Sequence, residues 1–312
     1  MTDSESLITA SSNSIWNKPT IKVEEISIES GARKTIIEDG ELLADPILIK
    51  GDPLLGIRVL KGKSVVAVSN LLLRDEIDYL VKSSLEAAAG QKLNDDNSSD
   101  SVDDNHHNNN NDDRGGPGRR CIRMPTVAAA NRHDIPDENS EDLHDPLPLE
   151  VSQFLEERVL QRTMAFIDQH LSNVRETLFG GDCKSLLDLF LCSQLEWSTR
   201  EPAVNVYYPP DNYFGIHKDN KALTILMPLH SSEENDFTGG GTAFWSQSHP
   251  NEHRHAPSLV LAPKSGTALL FGGKVSHKGL RIETGVRVVF VASFSRKPSN
   301  VQTSNTWFVS AR

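Results

Sequence analysis

The sequence predicts an α+β protein in which an N-terminal half of mixed helices and strands leans on an all-β C-terminal core. Three observations carry this expectation. Before about residue 195, two stretches place apolar residues at helical i, i+3, i+4 spacing. After it, short β-rich runs alternate with Gly and Pro punctuation: "AVNVYY", "ALTILMPL", "GTAFW", "SLVLAP", "GTALLF" and "RVVFVASF". That texture indicates a sandwich, a barrel or a jelly roll. Between the two helical stretches lies "NDDNSSDSVDDNHHNNNNDDRGGPG", residues 94–118, whose only large apolar side chain is one valine. It cannot bury enough surface to offset the entropy of ordering, so it reads as a disordered surface insertion within a domain.

In chain order, residues 1 to about 18 read as a disordered tail. "TIKVEEISIES" alternates apolar and polar residues as a strand does, and "KTIIEDGELL" reads as strand, turn and strand, with Asp39-Gly40 as the turn signal. "KSVVAVSNLL" is a buried strand. "RDEIDYLVKSSLEAAAG" has helical spacing through Ile77, Leu80, Val81 and Leu85, with Gly90 as its stop. "PLEVSQFLEERVLQRTMAFIDQHLSNV" is the strongest helix, through Val151, Phe154, Leu155, Val159, Met164, Ile167 and Leu171. "CKSLLDLFLCSQLEW" reads as a short helix or the entry to a strand. The expected organisation is an extension at 1–54, a support region at 55–194 that carries the insertion, a β core at 195–298 and a tail at 299–312.

The 312 residues suffice for one large domain or two small ones. A net charge of −11 argues against a broad nucleic-acid or anionic-membrane surface, because phosphate binding needs clustered Lys and Arg. The three cysteines, Cys121, Cys183 and Cys192, are odd in number and form no Cys-x-x-Cys pair, so they are read as reduced thiols of an intracellular protein. "MTDSESLITASSNSIWNK" has neither an apolar segment nor a basic start, and no apolar run approaches the ~20 residues that span a bilayer. Cytoplasm or nucleus is the expected location.

The chemistry centres on "FGIHKDNKALTILMPLH". His217 and Asp219 lie two apart, and on extended backbone such residues point the same way. "GGKVSHKGLRIETGVRVVFVASF" supplies His277. Two imidazoles and a carboxylate on a β scaffold, with coordination positions left open, are the facial triad that suits non-haem Fe(II). A 2-oxo acid that chelates such a metal needs its far carboxylate held by a fork of donors, which Arg provides. Arg287, within the apolar run "GVRVVFV", is the candidate, and the more exposed Arg281 is its rival. His249, His253 and His255 fall in the Pro-flanked loop "HPNEHRHAP" and read as solvated. His106 and His107 belong to the polar tract. "TGGGT" lacks the Lys-Ser/Thr of a phosphate loop and reads as a tight turn.

The stretch from about Val65 to Arg296 resembles the 2-oxoglutarate- and Fe(II)-dependent dioxygenases, in their prolyl 4-hydroxylase-like branch. The motifs that carry the resemblance are Tyr208, nine residues before His217-x-Asp219; "TILMPL"; "GGGTAF"; "PKSGTALLF"; "HKG"; and "GVR", all in order. The resemblance implies a double-stranded β-helix, or jelly-roll, core with helices packed on it. It implies Fe(II) bound by His217, Asp219 and His277. It gives Arg287 the distal carboxylate of 2-oxoglutarate, with Tyr208 as a second donor and Thr224 lining the same pocket. The activity implied is oxidative decarboxylation of 2-oxoglutarate to succinate and CO₂, with O₂ consumed and a C–H bond hydroxylated; ascorbate is an optional addition to the cofactors. A protein residue such as proline is the first expected substrate. A small molecule or nucleobase is the alternative, and so is an inactive binding module on the same fold. The chain departs from the family's pattern at Phe214, at Pro228 and in "RCIRMPT".

Overall fold

The computed structural model describes residues 21–39, 52–90, 118–124, 147–199, 201–210, 212–246 and 255–298. The expected tails, the insertion apart from Gly118, Gly40 of the expected turn, His106, His107, His249 and His253 lie outside the described residues.

Two sheets face each other. The larger takes in β1 (Ile21–Ser27), β2 (Arg33–Asp39), β3 (Ser64–Ser69), β4 (Arg119–Arg123), β5 (Leu195–Trp197), β6 (Ala203–Tyr207), β8 (Leu223–Pro228), β12 (Ala268–Phe271) and β15 (Arg287–Arg296). Its order is β2-β1-β3-β12-β8-β15-β6-β4, with β5 pairing the far end of β15. The smaller sheet runs β11-β10-β13-β7, where β7 is Phe214–His217, β10 Thr242–Trp245, β11 Leu259–Leu261 and β13 Ser276–Gly279. A ribbon of β9 (Phe237–Gly239) with β14 (Ile282–Gly285) stands apart. From β6 to β15 the chain passes repeatedly between the two sheets through antiparallel pairings, which makes the core a jelly-roll sandwich.

Strand alternation sorts the side chains into two cores, because successive residues of a strand point to opposite faces. Val66, Val68, Ala268, Leu270, Val288, Phe290, Ala292 and Phe294 join the apolar residues of the helices in one cluster. Val65, Ala67, Leu269, Phe271 and Val289 join Phe244 and Leu261 of the smaller sheet, and Val275 just before β13, in the other. Helices therefore cover one face of the large sheet and the small sheet covers the other, as an α+β chain requires. An aromatic knot fastens the helical layer: the ring of fully buried Phe294 lies 5.7 Å from Phe179 and 5.0 Å from Trp197.

The long helix expected over residues 148–174 is broken. It runs as Leu149–Leu155, a π-helical turn over Glu156–Gln161, and Arg162–His170, then stops at Leu171 (φ −127°, ψ 40°) before a new helix, Ser172–Phe179. The carbonyl of Leu171 accepts the N–H groups of Val174 and Arg175, so this residue closes one helix and opens the next. Leu171 and Val174 are both buried in the same core, and the apolar periodicity therefore continues across the break. "CKSLLDLFLCSQLEW" turns out to be both things the pattern allowed: a helix at Leu186–Leu191, capped by the Ser185 hydroxyl accepting the Asp188 N–H, and then β5.

The helix Arg74–Gly90 is anchored at its start by Glu76. Its carboxylate accepts the N–H of Leu73 at 2.8 Å, half of a capping box, and two hydrogen bonds from Arg162, both at 2.8 Å. Burial alone would raise the Glu76 pKa, but Arg162 and the Leu73 N–H outweigh it and hold the carboxyl below its ordinary value. Glu76→Gln is expected to destabilise the fold by roughly 1.5–3 kcal/mol at neutral pH, the worth of hydrogen bonds to a charged group. A group with a depressed folded-state pKa stabilises above its unfolded value, and that contribution fades as pH falls through the folded one. The gap between wild type and variant in urea unfolding should accordingly narrow on acidification below the ordinary carboxylate range; a gap that stays constant would show that the charge of Glu76 contributes nothing.

Candidate metal centre

β7 and β13 are neighbours in the small sheet, and their register sets His217 directly opposite His277. The two rings consequently lie on one side of the sheet with centroids 4.1 Å apart. Beyond β7 the chain turns through Asn220, whose φ of 56° lies in the left-handed region that Asn tolerates. The Asn220 N–H bonds the Gly273 carbonyl at 2.8 Å, and this turn folds Asp219 back against the imidazoles. Asp219 Oδ1 is 3.3 Å from His217 Nε2, and Oδ2 is 3.8 Å from His277 Nε2. The three potential ligand atoms all lie within 4.8 Å of one another.

The second nitrogen of each imidazole is also engaged. His217 Nδ1 lies 2.9 Å from the Gly215 carbonyl, and His277 Nδ1 lies 3.1 Å from the Val275 carbonyl. A carbonyl only accepts, so each Nδ1 carries a proton and each Nε2 is the ring nitrogen turned toward Asp219. Oriented imidazoles of this kind are characteristic of metal ligands. Burial, followed by the neighbouring His217, outweighs the attraction of Asp219 and pushes the His277 pKa down to about 4, which keeps the ring neutral as a ligand must be. Burial alone would raise Asp219, but His277, His217 and the hydroxyl of Thr224 hold it well below the usual carboxylate range. Thr224 lies fully buried behind it, donating to Asp219 Oδ2 at 2.5 Å and meeting the Ser293 hydroxyl at 3.1 Å. It thus steadies the ligand carboxylate and is not among the residues that line the cavity.

A cavity of about 290 Å³ opens in front of these three residues, between the two sheets. Its lining includes Arg287, Tyr207, Thr242, Asn205, Arg119 and Glu201. Arg287 is buried; its Nη2 donates to the Thr242 hydroxyl at 3.2 Å, whereas Nη1 has no hydrogen-bond partner among the described residues. Burial lowers the Arg287 pKa, yet a guanidinium stays charged in proteins. Leaving such a donor buried and unpaired is costly, so the position fits an anionic ligand. Arg281 is exposed, with its guanidinium 6.0 Å from the ring centroid of Tyr213.

The two adjacent tyrosines take the opposite places from those the motif implied. Tyr207 lines the cavity, and its ring centroid is 5.4 Å from the Arg287 guanidinium carbon. Tyr208 packs on the helix-side core, under the guanidinium of Arg120 at 5.3 Å. Register is the reason. Tyr207 pairs directly with Arg287 across β6 and β15, so the two share a face, and Tyr208 points to the other. Sequence reasoning also passed over Arg119, Asn205 and Glu201. Nothing in their local pattern announces a site; β4 reaches the cavity only by pairing with β6. His255 is exposed, and its carbonyl accepts the indole N–H of Trp245.

No protein-family profile and no curated protein matches the sequence. The chain is similar to several solved structures. A viral collagen prolyl hydroxylase of Paramecium Bursaria Chlorella virus-1, solved with 2OG, aligns at 17% identity over 77% of this chain and 99% of its own, with a TM-score of 0.40. A Pseudomonas putida prolyl-4-hydroxylase aligns at 14% identity over 79% and 98%, with a TM-score of 0.42. The non-heme alpha ketoglutarate dependent epimerase SnoN of nogalamycin biosynthesis aligns at 13% identity over 84% and 93%, with a TM-score of 0.42.

The donor set of two imidazoles and one carboxylate fits a first-row divalent ion such as Fe(II). Thr224→Val removes the hydroxyl behind Asp219 and keeps the side-chain volume. It is expected to weaken Fe(II) binding by roughly 10–100-fold, the usual cost of losing a partner behind a ligand. Anaerobic titration with Fe(II) measures this directly; unchanged affinity would show that Asp219 needs no support from Thr224.

Proposed function

We propose that this protein is an Fe(II)- and 2-oxoglutarate-dependent oxygenase of the prolyl 4-hydroxylase-like kind that hydroxylates a C–H bond. The observation that carries this is the orphaned Nη1 of buried Arg287, facing the same cavity as His217, Asp219 and His277. One feature offers a cation to a carboxylate, and the other offers three ligands to a metal. 2-Oxoglutarate, a diacid that can chelate iron at one end, satisfies both.

His217, Asp219 and His277 would hold the iron, their Nε2 and carboxylate atoms already turned toward one another. Bound iron supplies the activation of O₂ and the oxidative decarboxylation that yields succinate and CO₂; ascorbate is the accessory reductant included in this reading. Arg287 and Thr242 would hold the distal carboxylate, with the Tyr207 hydroxyl as a further donor. Leu226, Val289 and Val291 present apolar walls that limit water in the cavity. The resemblance first suggested a protein substrate such as a prolyl residue. The polar lining, with the cation of Arg119 and the carboxyl of Glu201 facing the cavity, favours a small polar molecule. Among the described residues, no helix is long and apolar enough to cross a membrane.

The test is succinate release from 2-oxoglutarate with Fe(II) and O₂. Wild type should release succinate, which an inactive binding module would not. Arg287→Ala should raise the 2-oxoglutarate requirement by roughly ten- to a hundredfold, corresponding to the ~1.5–3 kcal/mol of a charge-assisted hydrogen bond. Arg281→Ala should have a milder effect. Tyr207→Phe should shift the requirement in the same direction as Arg287→Ala, and Tyr208→Phe should leave it alone. Reversed effects of the two arginines would reassign the carboxylate site.

A further inference from the structure

We propose that Arg119 and Asn205 form a second anion subsite in the cavity, so that the substrate is a small organic acid and not an internal residue of a polypeptide. This rests on the oxygenase reading of the same cavity. The argument begins with the sheet. Across β15, β6 and β4, the residues Arg287, Tyr207 and Arg119 form one continuous register row. Side chains in such a row share a face, and adjacent strands lie about 4.8 Å apart. Two guanidinium groups thus face one cavity from either side of a tyrosine.

The first is committed to the deep end, between the sheets. The second is held at two points without being used up. Arg119 Nε donates to the Asn205 side-chain oxygen at 3.1 Å, and the guanidinium stacks on Phe214 with its carbon 4.1 Å from the ring centroid. The Phe214 ring in turn lies 4.3 Å from that of His217, which places the stacked cation one ring away from the metal ligands. The two terminal nitrogens of Arg119 have no hydrogen-bond partner among the described residues, although the residue lines the cavity. The bond to Asn205 also turns its amide, so that the oxygen is spent on Arg119 and the nitrogen is left as a further donor. A planar fork pinned at its inner nitrogen is what binds a carboxylate through two parallel hydrogen bonds. A residue within a polypeptide chain has no backbone carboxylate to offer Arg119.

The experiment uses the full chain with Fe(II), saturating 2-oxoglutarate and O₂, and measures succinate release above the rate without added substrate. The probes are free L-amino acids and short hydroxy acids, each paired with its primary amide, together with a proline peptide blocked at both ends. At least one acid should stimulate about tenfold more than its amide, the order expected of a charge-assisted pair. In Arg119→Gln that acid-to-amide ratio should fall to about one, and in Arg119→Lys it should be partly retained. A ratio measured within one variant does not depend on how much of that variant is folded. The proposal is overturned if amides work as well as acids, if the blocked peptide is the best stimulant, if no acid stimulates, or if Arg119→Gln keeps the preference. It is also overturned if Arg119→Gln raises the 2-oxoglutarate requirement as Arg287→Ala does, which would assign Arg119 to the co-substrate. Wild type that releases no succinate under any condition would sink the oxygenase reading itself, a result separate from these.

Discussion

The site depends on a single strand that is covered on both faces. β15 runs through the middle of the large sheet, paired with β8 on one side and with β6 and β5 on the other. Its even-numbered residues from Val288 to Phe294 are buried against the helices. Its odd-numbered ones, Arg287, Val289, Val291 and Ser293, face the small sheet, and Arg287, Val289 and Val291 line the cavity. A one-residue slip would put Arg287 into the helical core and Phe290 into the cavity, so packing on one face specifies the chemistry on the other. The same register brings Tyr207 and Arg119 onto the cavity side, and Ser293 onto Thr224, which supports Asp219.

This dependence explains which parts of the site were legible from the sequence. His217 and Asp219 could be read because their spacing is local and repeats every two residues. His277 could be read from its place after "ALLF", and Arg287 because a charge within an apolar run demands a partner. Tyr207 against Tyr208 could not be decided locally. Both are aromatic, both are adjacent to the motif, and only the pairing with β15 shows which face each takes. Arg119 was further out of reach, because its strand lies far from β6 in the sequence and joins the sheet only in three dimensions.

The fold was legible to a similar depth. Short apolar runs with Gly and Pro between them were enough to indicate a β sandwich, and the two helical stretches were found. Their interruption was not, because Leu171 and Val174 are buried in one core on either side of the break and keep the apolar period intact. The N-terminal strands also do more than support the core. β1, β2 and β3 extend the large sheet beyond β12, and β4 closes its other edge against β6. The edge strand β4 therefore supplies part of the wall where substrate would sit.

Glu201 shows how the same strand pairing shapes the electrostatics of the site. β15 changes partner from β6 to β5 between Val291, opposite Ala203, and Phe294, opposite Trp197. Two backbone groups of Ser293 fall in the gap. Its carbonyl accepts the Ser198 N–H at 2.8 Å, and its N–H donates to a carboxyl oxygen of Glu201. A buried N–H left without a partner would cost on the order of 1–3 kcal/mol, so the carboxyl has a structural reason to be there. Its position brings it close to Asp219, and burial together with that negative charge raises its pKa to about 8. The carboxyl thus keeps its proton near neutrality and still accepts the Ser293 N–H through its other oxygen. Two carboxylates crowding one cavity would weaken the hold of Arg119 and Arg287 on anions. With Glu201 neutral, Asp219 is left as the charged carboxylate beside His217 and His277, and both guanidinium groups keep their pull on anions.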